Sequence, residues 1–276
     1  MAWQANLDLK YSLRAPRVVL HHEHSGPLRV LQSLYPEGDG ICHNVLVHPP
    51  GGLVGGDTLD IQVQVGPGCH GLITTPGATR FYRSDGPWAV QRSHLRLEAG
   101  ARLEWLPMEA LCYNDCRAEN HLTMDLAPGA ELIGWDITAL GLPQADLPFQ
   151  RGVFRQHIEV PGLWLERAEI NADDHRLRNS PAGLGGHNCI ASLFLVCGTP
   201  LERMALEALL EETRSVLSAL PGTAWSGVTS PDPRIVVVRM LAPLTEPVSQ
   251  ALRAVRTLWR QQRWQLAACT PRLWAM

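Results

Sequence analysis

Lysine is nearly missing from this chain. Lys10 is the only one, so arginine carries almost all of the 24 basic charges. Schiff-base catalysis and a lysine-centred phosphate cradle would both have to rest on Lys10 alone, and both drop out. Long apolar runs are missing too. No stretch approaches the roughly 18 consecutive apolar residues of a membrane span. The segment from Met1 to Lys10 has no charged region followed by an apolar run, so no secretory signal is expected. A Gly-x-Ser-x-Gly elbow and a His-Glu-x-x-His helix are absent, which removes the usual hydrolase and metalloprotease layouts. Neither sign of charge dominates: the formal net charge is -3 at pH 7. Nucleic acid and anionic membranes are therefore not expected as partners.

What is present describes a folded, thiol-containing protein. Hydrophobic residues make up 45% and charged residues 18%, a balance that excludes a disordered chain. The seven cysteines are odd in number and scattered (42, 69, 112, 116, 189, 197 and 269). Reduced thiols in the cytoplasm explain them better than a disulfide framework.

The first 200 residues alternate apolar and polar with period two. In Leu59-Asp60-Ile61-Gln62-Val63-Gln64-Val65 every odd residue is aliphatic, which demands a strand with one dry face and one wet face. His121 to Leu126 and Val153 to Val160 repeat the pattern. Glycine turns recur at Gly68, Gly100 and Gly129, each between two strands. Units of that size cannot bury their own apolar faces and should stack, which predicts stacked sheets with a solenoid-like element. An ordinary β-sandwich whose turns favour Gly-Ala fits the same pattern.

After residue 198 the period changes. Thr199-Pro200-Leu201-Glu202 predicts a helix start, with Thr199 as cap. Leu201, Ala205, Leu209, Val216 and Leu220 follow at helical spacing, and Pro221-Gly222 ends the run. A second helix opens at Thr245-Glu246-Pro247, with a stripe of Val248, Ala251, Leu252, Val255, Leu258 and Trp259. Between them Ile235-Val236-Val237-Val238 predicts one buried strand. The expected fold class is mainly β: an all-β body over 1–198, with an α+β layer of two helices and a strand over 199–276 packed on the same core.

Three local patterns carry candidate chemistry. His48-Pro49-Pro50-Gly51-Gly52-Leu53-Val54-Gly55-Gly56-Asp57 enters a strand rather than a helix, so it is no phosphate loop. His48 and Asp57 bracket its turn and either meet across it, or Asp57 binds turn amides. Thr74 to Ser84 forms a second polar turn, in which Arg80 and Arg83 either hold an acidic partner or are solvated cations. His21-His22-Glu23-His24 offers imidazoles; in a strand His22 and His24 share a face, giving at most two converging ligands. Cys112 and Cys116 form a lone CxxxC, expected to be buried free thiols.

Gly26 to Gln32, Tyr35-Pro36-Glu37-Gly38, Cys42-His43 and His48 to Asp57 together resemble the hallmark of the UreD (UreH) family of urease accessory proteins. Thr74 to Ala78 with Phe81 to Ser84, Leu103 to Pro107 with Glu109, Gly134 to Ile137, Ser180 to Leu184, and Pro271-Arg272-Leu273-Trp274 continue the resemblance in order along the chain. The Cys112 to Cys116 stretch departs from the family pattern, and Arg80 stands where the family usually has lysine. The resemblance implies a scaffold with no reaction of its own and no tightly bound cofactor. Its implied partners are apo-urease and accessory proteins of UreF and UreG type, with transient Ni2+ passing to the urease site. On that footing Glu37, His48, Asp57, Glu109 and Asp136 are candidates for a nickel path, and Arg80, Arg83, Arg272 and Trp274 for partner contact. The alternative is a metal-dependent β-fold enzyme using the histidines of segment 21–48.

Overall fold

The repeating turns set the architecture. In the computed structural model, which describes residues 2–220 and 225–275, the turns Gly66-Pro67-Gly68-Cys69, Glu98-Ala99-Gly100-Ala101 and Ala127-Pro128-Gly129-Ala130 are each closed by a bond from the fourth N–H to the first carbonyl. Their third residues, Gly68, Gly100 and Gly129, have φ of +65°, +66° and +76°, which a type II turn requires and glycine alone adopts without strain. Strands on either side pair in parallel with the same offset as the glycines: Thr58 faces Val90 and His70 faces Arg102. The chain therefore winds as a β-solenoid. A β-carbon on Gly129 would approach the Gly100 backbone at 3.7 Å as well as forcing a left-handed side chain. Gly129→Ala is expected to lower stability by about 1–2 kcal/mol, read as a drop in the thermal midpoint; an unchanged midpoint would show that the turn tolerates another conformation.

Each coil crosses two sheets. The first runs in the order Trp164–Asn171, Gly152–Val160, Cys116–Leu126, Ala89–Leu97, Thr58–Val65, Gln4–Arg14 and Arg17–Ser25. The second runs Trp225–Asp232, Ile235–Ala242, Cys189–Cys197, Glu131–Leu142, Arg102–Leu106, His70–Thr74, Ile41–Val47 and Arg29–Val30, with short strands Thr79–Phe81, Ala110–Cys112 and Leu147–Pro148 joined to it beside this path. Leu59, Ile61, Val63 and Val65 are buried between the sheets, as their alternation requires. The mainly β expectation holds, and the stacked-coil alternative is the one adopted.

Three α-helices accompany the strands among the described residues, and two of them cover the outer face of the second sheet. These are α1 (His175–Asn179), α2 (Arg203–Ala219) and α3 (Thr245–Trp264). Val248, Ala251, Leu252, Val255 and Trp259 of α3 are fully buried against Ile133, Leu193, Val236 and Val238, while Leu258 is half-buried. Each fully buried valine or leucine among them contributes about 1.5–3 kcal/mol.

Four local expectations change. Helix α2 starts at Arg203, capped by the Glu202 carboxylate on the Ala205 N–H at 3.0 Å. The Thr199 hydroxyl instead accepts from the Gly129 N–H at 3.0 Å, tying the linker to the last glycine turn. Ala205 is exposed, and the inward stripe is Leu209, Thr213 and Leu217. The C-terminal layer holds two strands rather than one, since Trp225–Asp232 pairs with Ile235–Ala242. It was illegible because only Val228 in it is buried, as befits an edge. Helix α1 interrupts the region expected to be all strand, nucleated by the Asp174 carboxylate on the Leu177 N–H. The predicted stop at Pro221-Gly222 lies outside the described residues. No helix among the described residues is long and apolar enough to cross a membrane.

Candidate functional site

Two glycine-rich segments build one mouth. The Leu53 N–H donates to the Arg80 carbonyl at 2.7 Å and the Tyr82 N–H to the Leu53 carbonyl at 2.9 Å, so the segments lie edge to edge. A β-carbon on Gly52 would come within 2.8 Å of the Arg80 carbonyl, so only glycine allows this approach. Between them opens a cavity of about 230 Å³, whose polar lining includes His48, Thr75, Arg80 and Gln91. Burial pushes the His48 imidazole towards its neutral form, although the Asp57 charge pulls the other way. Its Nε2 is buried with no hydrogen-bond partner among the described residues. Asp57 takes the other option open to it: it accepts from the Trp3 N–H at 2.7 Å and the Val54 N–H at 2.9 Å and fixes the turn.

From that cavity a polar line enters the space between the sheets. Gln91, Asn120 and Gln156 stand abreast on three adjacent parallel strands. Gln91 donates to Asn120 at 3.4 Å, and Asn120 donates to the Asp136 carboxylate at 2.8 Å. Asp136, only 6% exposed, also accepts from Gln156 at 2.5 Å and Thr138 at 3.2 Å. Burial raises its carboxyl to about 6, against the pull of those three donors and with the Glu166 charge pushing further up. Beyond Asp136 the line continues across the second sheet. Ser192 lies directly opposite Asp136 on the next strand and donates to Glu166 at 3.1 Å, and Glu166 pairs with Arg239. Two further buried polar atoms on strands of the first sheet, Ser93 Oγ and Trp164 Nε1, have no partner among the described residues. Sequence reading found Asp136 through its motif but missed the amides, because only the coil register places them side by side.

A second polar cluster lies on the opposite, helix-facing side of the second sheet. Glu104, fully buried, receives Arg256 at 2.6 Å and also Arg260, both from α3. Burial would raise this carboxyl, but Arg256, the His70 imidazole 3.7 Å away and Arg260 outweigh it and hold it at about 2. Arg260 extends to Glu37, which binds His43 at 2.8 Å. Glu37 is held below the usual range because that bond and Arg260 overcome its burial. The same arginines hold the C-terminal segment: Arg256 donates to the Cys269 carbonyl at 3.0 Å and Arg260 to the Ala267 carbonyl at 3.2 Å. The signal in the sequence was two arginines, four residues apart, inside the apolar stripe of a helix.

The five path candidates are thus not assembled in one place. His48 and Asp136 lie at the cavity and on the line, Asp57 fixes a turn, and Glu37 belongs to the buried ion cluster. Glu109 acts on Cys189 and Arg253, the latter a residue of α3. Among the partner candidates, Arg80 rims the mouth, and exposed Arg83 pairs with Asp85 at 2.7 Å. Arg272 is exposed. Trp274 is half-buried, donating to Thr74 at 3.0 Å and packing on Trp135. The histidines of segment 21–48 are separated: the His22 and His24 rings stack at 6.3 Å, His21 contacts Arg14, and His43 turns to Glu37. All seven cysteines are free, six of them buried, Cys112 and Cys116 included.

The site thus defines a β-solenoid with a polar line inside it and a buried ion cluster under its helices. Comparison with known proteins gives this solenoid its family. The family model described as UreD urease accessory protein matches residues 4–275. The chain is 63% identical to the urease accessory protein UreD of Polaromonas sp. (strain JS666 / ATCC BAA-500) over 100% of both chains. It is 62% identical to the proteins of the same name from Variovorax paradoxus (strain S110) and Albidiferax ferrireducens (strain ATCC BAA-621 / DSM 15236 / T118), again over 100% of each. The chain belongs to the UreD family of urease accessory proteins.

Proposed function

We propose that this chain is a cytoplasmic urease maturation scaffold that binds apo-urease together with accessory proteins of UreF and UreG type, and that Ni2+ crosses it along the interior line. The observation that carries the reading is Asp136: a buried carboxylate, dressed by neutral donors, midway on a polar line that starts at a surface cavity. The amide and hydroxyl groups there are weak, exchangeable oxygen donors. They suit an ion in transit, whereas a thiolate cage would trap it. His48, whose burial favours the neutral imidazole and whose Nε2 has no partner among the described residues, takes the ion first, and Arg80 on the same rim meets whichever protein delivers it. Glu37 and Asp57 hold the structure rather than the cargo, and Glu109 stays a candidate on the helix-facing side. Arg83 and Arg272 remain exposed contact candidates.

The test is co-expression with the urease and accessory proteins of the same source, with and without this chain, followed by capture and an assay of nickel-dependent urease activity. Capture of urease and an accessory protein, with activity lost when the chain is omitted, is the expected result. Full activation without the chain would overturn the proposal.

A further inference from the structure

The far end of the interior line is closed by a cation that the protein supplies itself. Asp136, Ser192 and Arg239 stand abreast on three adjacent antiparallel strands, on one face of the sheet. Arg239 places its guanidinium on Glu166, whose other oxygen accepts from Ser192. The Glu166 side chain is 17% exposed and that of Arg239 is 48% exposed, so the pair lies where the interior meets solvent. Arg239 has a second partner on its outer side, the Thr229 hydroxyl at 3.3 Å on the edge strand. Both contacts are made at once, so the guanidinium bridges the Glu166 carboxylate and the edge strand at the rim.

We propose that Arg239 is the gate of the line: its guanidinium stands in for the cargo at Glu166 and must leave when a divalent cation arrives there. This rests on the passage of Ni2+ proposed above and adds how the ion is released. The chemistry is competition for one carboxylate. A guanidinium brings a single, diffuse charge and a fixed fork of donors. A divalent cation brings twice the charge on a small centre and binds the same oxygens in its own coordination shell. With Arg239 in place, Glu166 is neutralised and cannot hold the ion, so the last step of transit is weak and reversible. Without it, Glu166 and Asp136 would be two unneutralised carboxylates at the end of the line, and a divalent ion would stay. Arg239 therefore sets release rather than capture, and its removal should tighten binding while slowing delivery.

The test measures both quantities on the full chain purified in complex with its accessory partners, using Ni2+ as the chloride salt. Arg239→Met is expected to raise Ni2+ affinity by about tenfold in equilibrium titration and to lower the rate of nickel-dependent urease activation by a similar factor. Arg239→Lys should behave as wild type, because a cation remains. In Arg239→Met combined with Glu166→Gln the gain in affinity should vanish, which separates gating from a general change of fold. Unchanged Ni2+ affinity in a folded Arg239→Met complex would overturn the gate. That failure is distinct from failure of the transit reading: if Asp136→Asn also activates urease normally, the line itself carries no nickel.

Discussion

Asp136→Asn is expected to lower nickel-dependent urease activation by about 10–100-fold while making the protein more stable at pH 8. The two effects have one cause. The carboxyl titrates at about 6 in the fold because it is buried, against an ordinary value of 3.8. A raised value means that the folded state favours the protonated form. Its favourable contribution is complete below about pH 4 and is lost as pH rises through 6, where ionisation inside the protein penalises folding. Asparagine removes that penalty and keeps the size of the group. The unfolding free energies of variant and wild type should coincide below about pH 4 and diverge as pH rises from 4 to 6, by up to about 3 kcal/mol. Normal activation by the variant would remove Asp136 from the path, whatever its midpoint.

Glu104 should behave in the opposite way. Replacing it with alanine leaves Arg256 and Arg260 buried beside one another without their shared counter-ion, a loss of about 3–5 kcal/mol. Against a total stability of about 5–15 kcal/mol, that suffices to leave much of the chain unfolded in the cell. Glu104→Gln gives the milder, pH-resolved version. The carboxyl is held at about 2 against an ordinary 4.5, so its contribution is present above about pH 4.5 and lost as pH falls through 2. Wild type should exceed Glu104→Gln by about 3 kcal/mol at pH 7, and the two should converge near pH 2 in denaturant titrations. Equal midpoints at pH 7 would mean that the arginines find other partners. Activation measured on whatever Glu104→Gln protein folds should be close to normal, since the cluster lies on the helix-facing side of the sheet, away from the interior line.

The contrast between these two carboxylates shows how far a sequence can be read. Period-two alternation gave the strands, since Leu59, Ile61, Val63 and Val65 point one way whatever lies opposite. The glycines at 68, 100 and 129 marked a repeat, because a backbone with positive φ leaves its mark in residue type, and left stacked coils and a sandwich both open. The α3 stripe was equally plain. All of these are local patterns. Glu104 meets its arginines across 152 and 156 positions of chain, and no local pattern records such a meeting. The amide ladder of Gln91, Asn120 and Gln156 is invisible for a related reason: its members are aligned only by strand pairing. Asp136 was found through resemblance, and its elevated titration emerges only from its surroundings. Of the nickel-path candidates, His48 and Asp136 lie along one route. Glu37 pairs with Arg260 and His43, and Asp57 accepts from two backbone amides.

The lateness of α3 bears on how the protein is made. On a ribosome the solenoid emerges first, and by residue 198 its coils are complete. At that moment Leu72, Leu106, Ile133 and Trp135 have nothing above them, and Glu104 has no cation. They wait for residues 245–264, near the end of translation. Until then the nascent chain presents a broad adhesive sheet, the kind of surface on which chaperones act and aggregates start. A message cut short before α3 would yield a product that cannot hide this face.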